Sequence, residues 1–214
     1  MRRIDKGAEP RSLTAWKRAH QHGTYADLPP EERQAIRQAC ALEQYYLCGY
    51  CCDAISGEAS DTTNEHVEAQ KLAPHRTVDF SNIIASCAAL HHCDKAHGSQ
   101  ALPLTPLMAE CESELRYKIS GRVEGLTDRA REAIRVLNLG DAEQANKALI
   151  EKRKALCNAL LWTNGIDPEQ GLEDEELIRI VIADLLQPKE GRLEAFAPVL
   201  ANIMSAWLEG RQVE

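Results

Sequence analysis

The sequence predicts an α+β fold: a short, cysteine-rich, non-helical module set inside an otherwise mostly α-helical chain that ends in a helical bundle. Three observations predict it. Apolar residues recur at helical spacing on both sides of the stretch 48–99, and inside it that periodicity stops. Five of the eight cysteines (Cys48, Cys51, Cys52, Cys87 and Cys93) fall within 46 residues of that stretch. Aromatic residues are only 5% of the 214, so the core is expected to be aliphatic, as suits packed helices. The chain accordingly divides into an N-terminal segment and helix (1–46), the cysteine-rich module (47–120) and a helical region (121–214).

Each element has its own signal. The first 28 residues are polar, and SLTAWKRAH is their one helical stretch. LPPEERQAIRQACALEQYYL opens with Pro29-Pro30 and two glutamates, good first-turn residues. It sets Ala35, Ile36, Ala39, Cys40 and Leu42 to one side, a helix of about four turns. LRYKISGRV alternates as a short strand would, around Leu115–Ile119. Everything after Gly125 reads as helix. TDRAREAIRVLNL has Thr127-Asp128 as its cap, and DAEQANKALIEKRKALCNALLW runs from Asp141 with Ala145, Ala148, Leu149, Leu156, Ala159 and Leu160 on one stripe. EDEELIRIVIADLL and LEAFAPVLANIMSAWL follow, the second with an expected kink at Pro198. Gly165 and Gln187-Pro188 mark turns, and Asp167–Glu176 reads as a solvated loop and first helical turn. Trp162 and Trp207 fall on apolar stripes and are expected in the core.

The net charge of −8 argues against gripping nucleic acid by electrostatics alone. Its distribution is uneven. Residues 1–40 carry 8 basic and 5 acidic side chains, a net of +3; residues 41–98 carry 3 and 8, a net of −5. An acidic centre suits a site that collects cations. Arg2, Arg3, Lys6 and Arg11 leave two readings open, a contact to nucleic acid or a partner, or a plain charged terminus. No run of about 18 apolar residues occurs, so no membrane span is expected. The basic start MRRIDKGAEP leads into no hydrophobic segment and reads as no secretory signal, which places the chain in the cytoplasm.

In a reducing compartment clustered cysteines point to metal ligation rather than disulfides. Cys48-x2-Cys51 has the spacing that lets one tight turn present two thiolates to zinc, and Cys87 and Cys93 supply the second pair 36 residues on. The expected site is tetrahedral, closed and structural, with His91 or His92 as a substitute for a later cysteine. Cys52 would point away, and Cys40, Cys111 and Cys157 are expected as small buried hydrophobes. His20, His22 and His75 have no such context, and Lys95 reads as solvated.

Between and after the cysteine pairs stand TTNEHVEAQ, FSNIIASC and HCDKAHGS. Their order resembles the zinc-stapled HNH nucleases, whose ββα-metal fold puts a histidine on the first strand, an asparagine at the opening of the second and a metal ligand at the start of the helix. The resemblance implies that Glu65 and Asp94 hold a catalytic Mg²⁺ or Mn²⁺, that His66 takes a proton from the attacking water, and that Asn82 holds the loop carrying His66 in register. Neighbouring ligand and base require the strand to bend, since strand neighbours face opposite ways. Two positions depart from the pattern. Asp94 stands where many of the wider class have His or Asn, and His97 stands where a lysine is expected, as a phosphate contact or second metal ligand.

MRRIDKGAEPRSL, LCGYCC, EHVEAQ, HCDKAHGSQALPLTP and GRVEGLTDRAREAIRVLNL also resemble the HNH subunit of Septu-type anti-phage systems (PtuB-like), some of them retron-associated, over about the first 140 residues. That resemblance implies a nuclease effector held by an ABC/OLD-type ATPase, acting on DNA or tRNA. A retron reverse transcriptase with its DNA is a further partner, and self-association through the helical region another contact. The competing expectation is a zinc-stapled adaptor with a degenerate HNH site that bridges ATPase and nucleic acid without cleavage.

Overall fold

A computed structural model describes residues 1–141, 146–167 and 174–210. Among them the fold is α+β, with seven α-helices and two separate two-stranded antiparallel sheets. In chain order they are α1 (Arg11–Ala19), α2 (Pro30–Glu43), β1 (Thr62–His66), β2 (Ile83–Cys87), α3 (Asp94–His97), β3 (Leu115–Tyr117), β4 (Val123–Gly125), α4 (Asp128–Leu137), α5 (Lys147–Thr163), α6 (Glu175–Leu185) and α7 (Ala197–Leu208). No helix among the described residues is long and apolar enough to cross a membrane.

α2 starts as its sequence dictates, with Pro30 in the first turn beside Glu31 and Glu32. It buries Ile36, Cys40 and Ala41 against β1 and β2. Leu42 does not join them and is 59% exposed. Six residues past Ile36 it has turned by about 240° at 3.6 residues per turn, away from the packed face. β1 and β2 pair without interruption, Thr62 opposite Cys87 through Glu65 opposite Ile84 to His66 opposite Ile83. All five β2 residues are buried between α2 and the cysteine-rich turn, so β2 reads as an unbroken apolar-to-small run rather than an alternating one.

The strand expected over Leu115–Ile119 ends at Tyr117, and the chain turns back to form β4, which the sequence reading missed. Three residues with one large apolar side chain, Val123, are too few to show alternation. The turn closes through Lys118 N–H to Arg122 O at 2.9 Å, and Gly121 in it has φ +85°. An added Cβ there would lie 2.2 Å from the Ile150 carbonyl oxygen, so α5 packs against bare backbone.

α4 is capped at its start by Thr127, whose Oγ1 accepts from Ala130 N–H, and at its end by Asn138 in the left-handed region. The stripe expected from Asp141 is shifted. Leu149, Ile150, Arg153, Cys157 and Leu161 are the buried positions of α5, while Ala148 and Ala159 face outward; Ala145 lies outside the described residues. Trp162 is 57% exposed, one step of about 100° off the Leu161 face. Trp207 is half-buried against the core. Pro198 does not kink α7. The helix begins only at Ala197, so the ring sits in the first turn, where its missing N–H costs no intrahelical bond. Of the expected loop and first turn over Asp167–Glu176, residues 168–173 lie outside the described residues, and Asp174 caps α6.

One contiguous buried core runs from Met1 to Ala206. The N-terminal segment is stitched into it by Ile4 N–H to Pro106 O at 2.8 Å. Lys6 pairs with Glu43, lies 3.7 Å from the centre of the Phe80 ring and donates to Ile83 O at 2.7 Å. Arg2 stacks over Tyr45 and Arg3 pairs with Asp5, while Arg11 is exposed. Lys6 is therefore committed to the fold.

Candidate functional site

Two adjoining constellations sit at the β1–β2–α3 unit. The first is the cysteine tetrad. Residues 48–53 form a tight knuckle, with Cys52 N–H donating to Cys48 O at 3.0 Å and Cys48 N–H to Asp53 O at 2.8 Å. It docks on β2 through Gly49 N–H to Ala85 O at 3.0 Å; a Cβ at Gly49 would press within 2.8 Å of Ile84 Cδ1. Cys87 ends β2, and Cys93 precedes α3 with a positive φ of +57° and its side chain fully buried. All four Sγ atoms lie within 4.8 Å of one another and are buried; Cys48–Cys93 is 3.8 Å and Cys51–Cys87 is 3.9 Å. A tetrahedron of sulfurs about 2.3 Å from a central zinc has an edge of about 3.8 Å. Cys87 N–H also points at Cys48 Sγ (3.3 Å), the backbone donor that a buried thiolate requires. The tetrad is thus compatible with structural zinc.

The remaining candidates for the tetrad stay out of it. His91 is exposed and His92 half-buried on the 88–93 loop, where Asn138 Nδ2 holds His91 O at 2.7 Å. Cys52, Cys40, Cys111 and Cys157 are buried free thiols outside the tetrad.

The second constellation brings together Glu65, Asp94 and His97. Glu65 Oε1 accepts from Tyr50 O–H at 3.0 Å and meets His97 Nδ1 at 2.5 Å. The other ring nitrogen of His97 donates to Gln100 O at 2.9 Å, since a carbonyl can only accept. With both nitrogens engaged and only 1% of the residue exposed, His97 offers no atom to a phosphate. Burial pushes Glu65 up to about 7, with the Asp94 carboxylate adding to it and His97 opposing it. His97 is itself raised: burial lowers it, and the bond to Glu65 outweighs that. Burial also lifts the Tyr50 phenol well above its usual value, so it stays protonated and donates. Asp94 is half-buried at the first position of α3, with its N–H near Ser86 Oγ (3.4 Å).

His66 faces the other way. Its Nε2 donates to Thr77 O at 2.8 Å, its ring meets Tyr25 edge-on at 4.9 Å, and Gln70 Nε2 approaches Nδ1 at 3.3 Å. The carbonyl fixes the tautomer: Nε2 carries the proton and Nδ1 the lone pair. Burial lowers its pKa, favouring that neutral form. The expected bend of β1 is not found, because the register runs regularly through both residues. Glu65 and His66 instead diverge as strand neighbours do, and the Asp94 carboxylate acts on both.

Asn82 is 1% exposed and does not open β2 itself; it is the last residue of a 3₁₀ turn, Phe80–Asn82, immediately before it. Its Oδ1 accepts Glu68 N–H at 2.8 Å, its Nδ2 donates to Glu68 O at 3.0 Å, and its own carbonyl accepts Val67 N–H at 3.0 Å. Three bonds therefore clamp the two residues that follow His66.

Tyr50, Thr77, Gln70 and Gln100 were missed by sequence reasoning. Tyr50 alone carried a signal, as the aromatic residue between two zinc-spaced cysteines. Thr77 and Gln100 act through backbone oxygens, which no side-chain pattern encodes, and Gln70 through a side-chain amide four residues from His66. Comparison with known families and with curated proteins found no family model and no curated relative that matches the chain.

Proposed function

We propose that the protein is an HNH-type, metal-dependent nuclease that hydrolyses phosphodiester bonds as the effector of an anti-phage complex, governed by an ABC/OLD-type ATPase. The observation that carries the reading is the pose of His66. It is a buried imidazole with its Nε2 proton committed to Thr77 O, and its unprotonated Nδ1 is held by the Gln70 amide at 3.3 Å, a contact that a water can replace, within electrostatic reach of Asp94. A general base needs that tautomer and a near-neutral or lower pKa, so that it is unprotonated when it acts.

The donor set fits a hard divalent cation. Glu65 and Asp94 bring two interacting carboxylates into a largely buried setting, where burial first and Asp94 second raise Glu65. Held by Glu65 and Asp94, Mg²⁺ or Mn²⁺ would supply stabilisation of the negative charge that develops on the phosphate and the leaving oxygen. The chain's own residues do the rest. His66 Nδ1 accepts the proton of the attacking water, Thr77 O keeps its ring oriented, and Asn82 keeps the segment after it from drifting. The overall charge of −8 supports a partner as the source of the basic surface that nucleic acid needs.

The adaptor reading keeps one observation in its favour: Glu65 already has a hydrogen-bonding partner in His97, which when protonated offsets part of its charge without a metal. Incubating the partner-bound complex with DNA and with tRNA, plus Mg²⁺ or Mn²⁺, beside His66→Ala separates the two. Loss of cleavage by at least 100-fold in the variant is expected from removing a general base (roughly 10²–10⁴ in rate). Equal behaviour of wild type and variant sinks the nuclease reading.

A further inference from the structure

We infer that Tyr50 and His97 are positioning residues that fix the cation-binding carboxylate of Glu65 from two sides. The inference rests on the reading of Glu65 and Asp94 as cation ligands and adds the residues that orient them.

Both partners converge on one oxygen. Tyr50 O–H reaches Glu65 Oε1 at 3.0 Å and His97 Nδ1 reaches the same atom at 2.5 Å, while Tyr50 and His97 rings lie edge to face, 6.3 Å between centres. Tyr50 is 0% and His97 1% exposed, so neither partner competes with water for the carboxylate. A carboxylate pinned through one oxygen keeps a single rotamer and presents the other oxygen to a cation. Orienting contacts of this kind outside the ligand shell are a general requirement of precise metal sites. Neither partner is placed by β1. Tyr50 sits inside the knuckle between Cys48 and Cys51, and His97 closes the helix that Cys93 caps, its N–H donating to Cys93 O at 2.8 Å. Both arms of the clamp thus spring from the segments that carry the cysteine tetrad. His97 also has its far side held, because Gln100 O accepts from Nε2.

The test is Mn²⁺ binding to the full-length, zinc-loaded protein, read from the loss of the free-Mn²⁺ electron paramagnetic resonance signal, with zinc content and melting temperature measured on each sample. Glu65→Gln is the reference for a lost ligand. Tyr50→Phe keeps the buried ring and removes only the hydroxyl; His97→Gln keeps a polar side chain and loses the bridging geometry. Each is expected to weaken Mn²⁺ binding about 10-fold, the usual scale for losing an orienting contact, with one zinc retained and a single cooperative melt lowered by a few degrees for the buried hydrogen bonds lost. Wild-type affinity in both variants overturns the inference, and so does a wild-type protein that binds no Mn²⁺. The expected pattern in a protein that cleaves no nucleic acid would defeat the nuclease reading and leave the clamp standing.

Discussion

Asn82 gives the most direct test of how the loop after His66 is held. Its side chain makes two hydrogen bonds to one residue, accepting from Glu68 N–H at 2.8 Å and donating to Glu68 O at 3.0 Å, from a position 1% exposed. Asn82→Ala removes both. At about 0.5–1.5 kcal/mol net for each bond the loss is about 1–3 kcal/mol. Glu68 itself is exposed, so water can partly replace the lost partners, which places the expected value near the middle of that range. Asn82→Asp separates the two bonds. Its carboxylate still accepts from Glu68 N–H, yet it confronts Glu68 O with a second acceptor and buries a charge, so at pH 7 it should cost at least as much as Ala. Lowering the pH toward about 4 protonates the new carboxyl, restores a donor and should shrink its deficit relative to wild type. Urea titration with amide exchange at Glu68 reads both effects. An Asn82→Ala variant within about 0.5 kcal/mol of wild type, with Glu68 still protected, refutes the clamp.

Two further outcomes follow from the fold. Stripping zinc with a chelator should unfold the 47–120 module, because structural zinc contributes about 10–16 kcal/mol, comparable to the whole stability of a domain; circular dichroism melts that coincide with and without chelator would contradict the tetrad. Gly121→Ala should destabilise by about 3 kcal/mol, combining left-handed strain with a Cβ placed 2.2 Å from Ile150 O. A denaturation midpoint that does not move would show that α5 does not approach the hairpin so closely.

The sequence was readable wherever the signal was local. Pro30 with Glu31 and Glu32, and Thr127 before Asp128, mark helix starts by chemistry that operates within one turn, and the structure starts α2 and α4 there. Cysteine spacing marks the tetrad for the same reason, since one knuckle must present two sulfurs. Local signals failed where tertiary packing chose between faces. Leu42 and Trp162 are apolar and helical, yet among the described residues they stay 59% and 57% exposed. The chemistry of the second constellation was legible only as residue types. Which oxygen Glu65 turns toward, and which tautomer His66 adopts, depend on Tyr50, His97 and Thr77 at separations of 15, 32 and 11 residues.

Among the described residues the helical half contributes no side chain to either constellation, but it has a part in the geometry. α3 is four residues long and far too short to persist alone. Its start is fixed from two directions. Cys93 contributes its sulfur to the tetrad, and Cys93 N–H donates to Leu137 O at 2.9 Å at the end of α4. Asn138, whose left-handed conformation ends that helix, reaches back to His91 O at 2.7 Å. The positive-φ residue Cys93 then marks where adjacent side chains part, Cys93 to the sulfur tetrad and Asp94 to Glu65. Soft thiolates suit zinc and hard carboxylates suit Mg²⁺ or Mn²⁺, so on the proposed reading this single residue step would keep two donor sets from mixing. The position of Asp94 therefore depends on the tetrad and on the C-terminal turn of α4 together, and the β1–β2 hairpin alone cannot supply it.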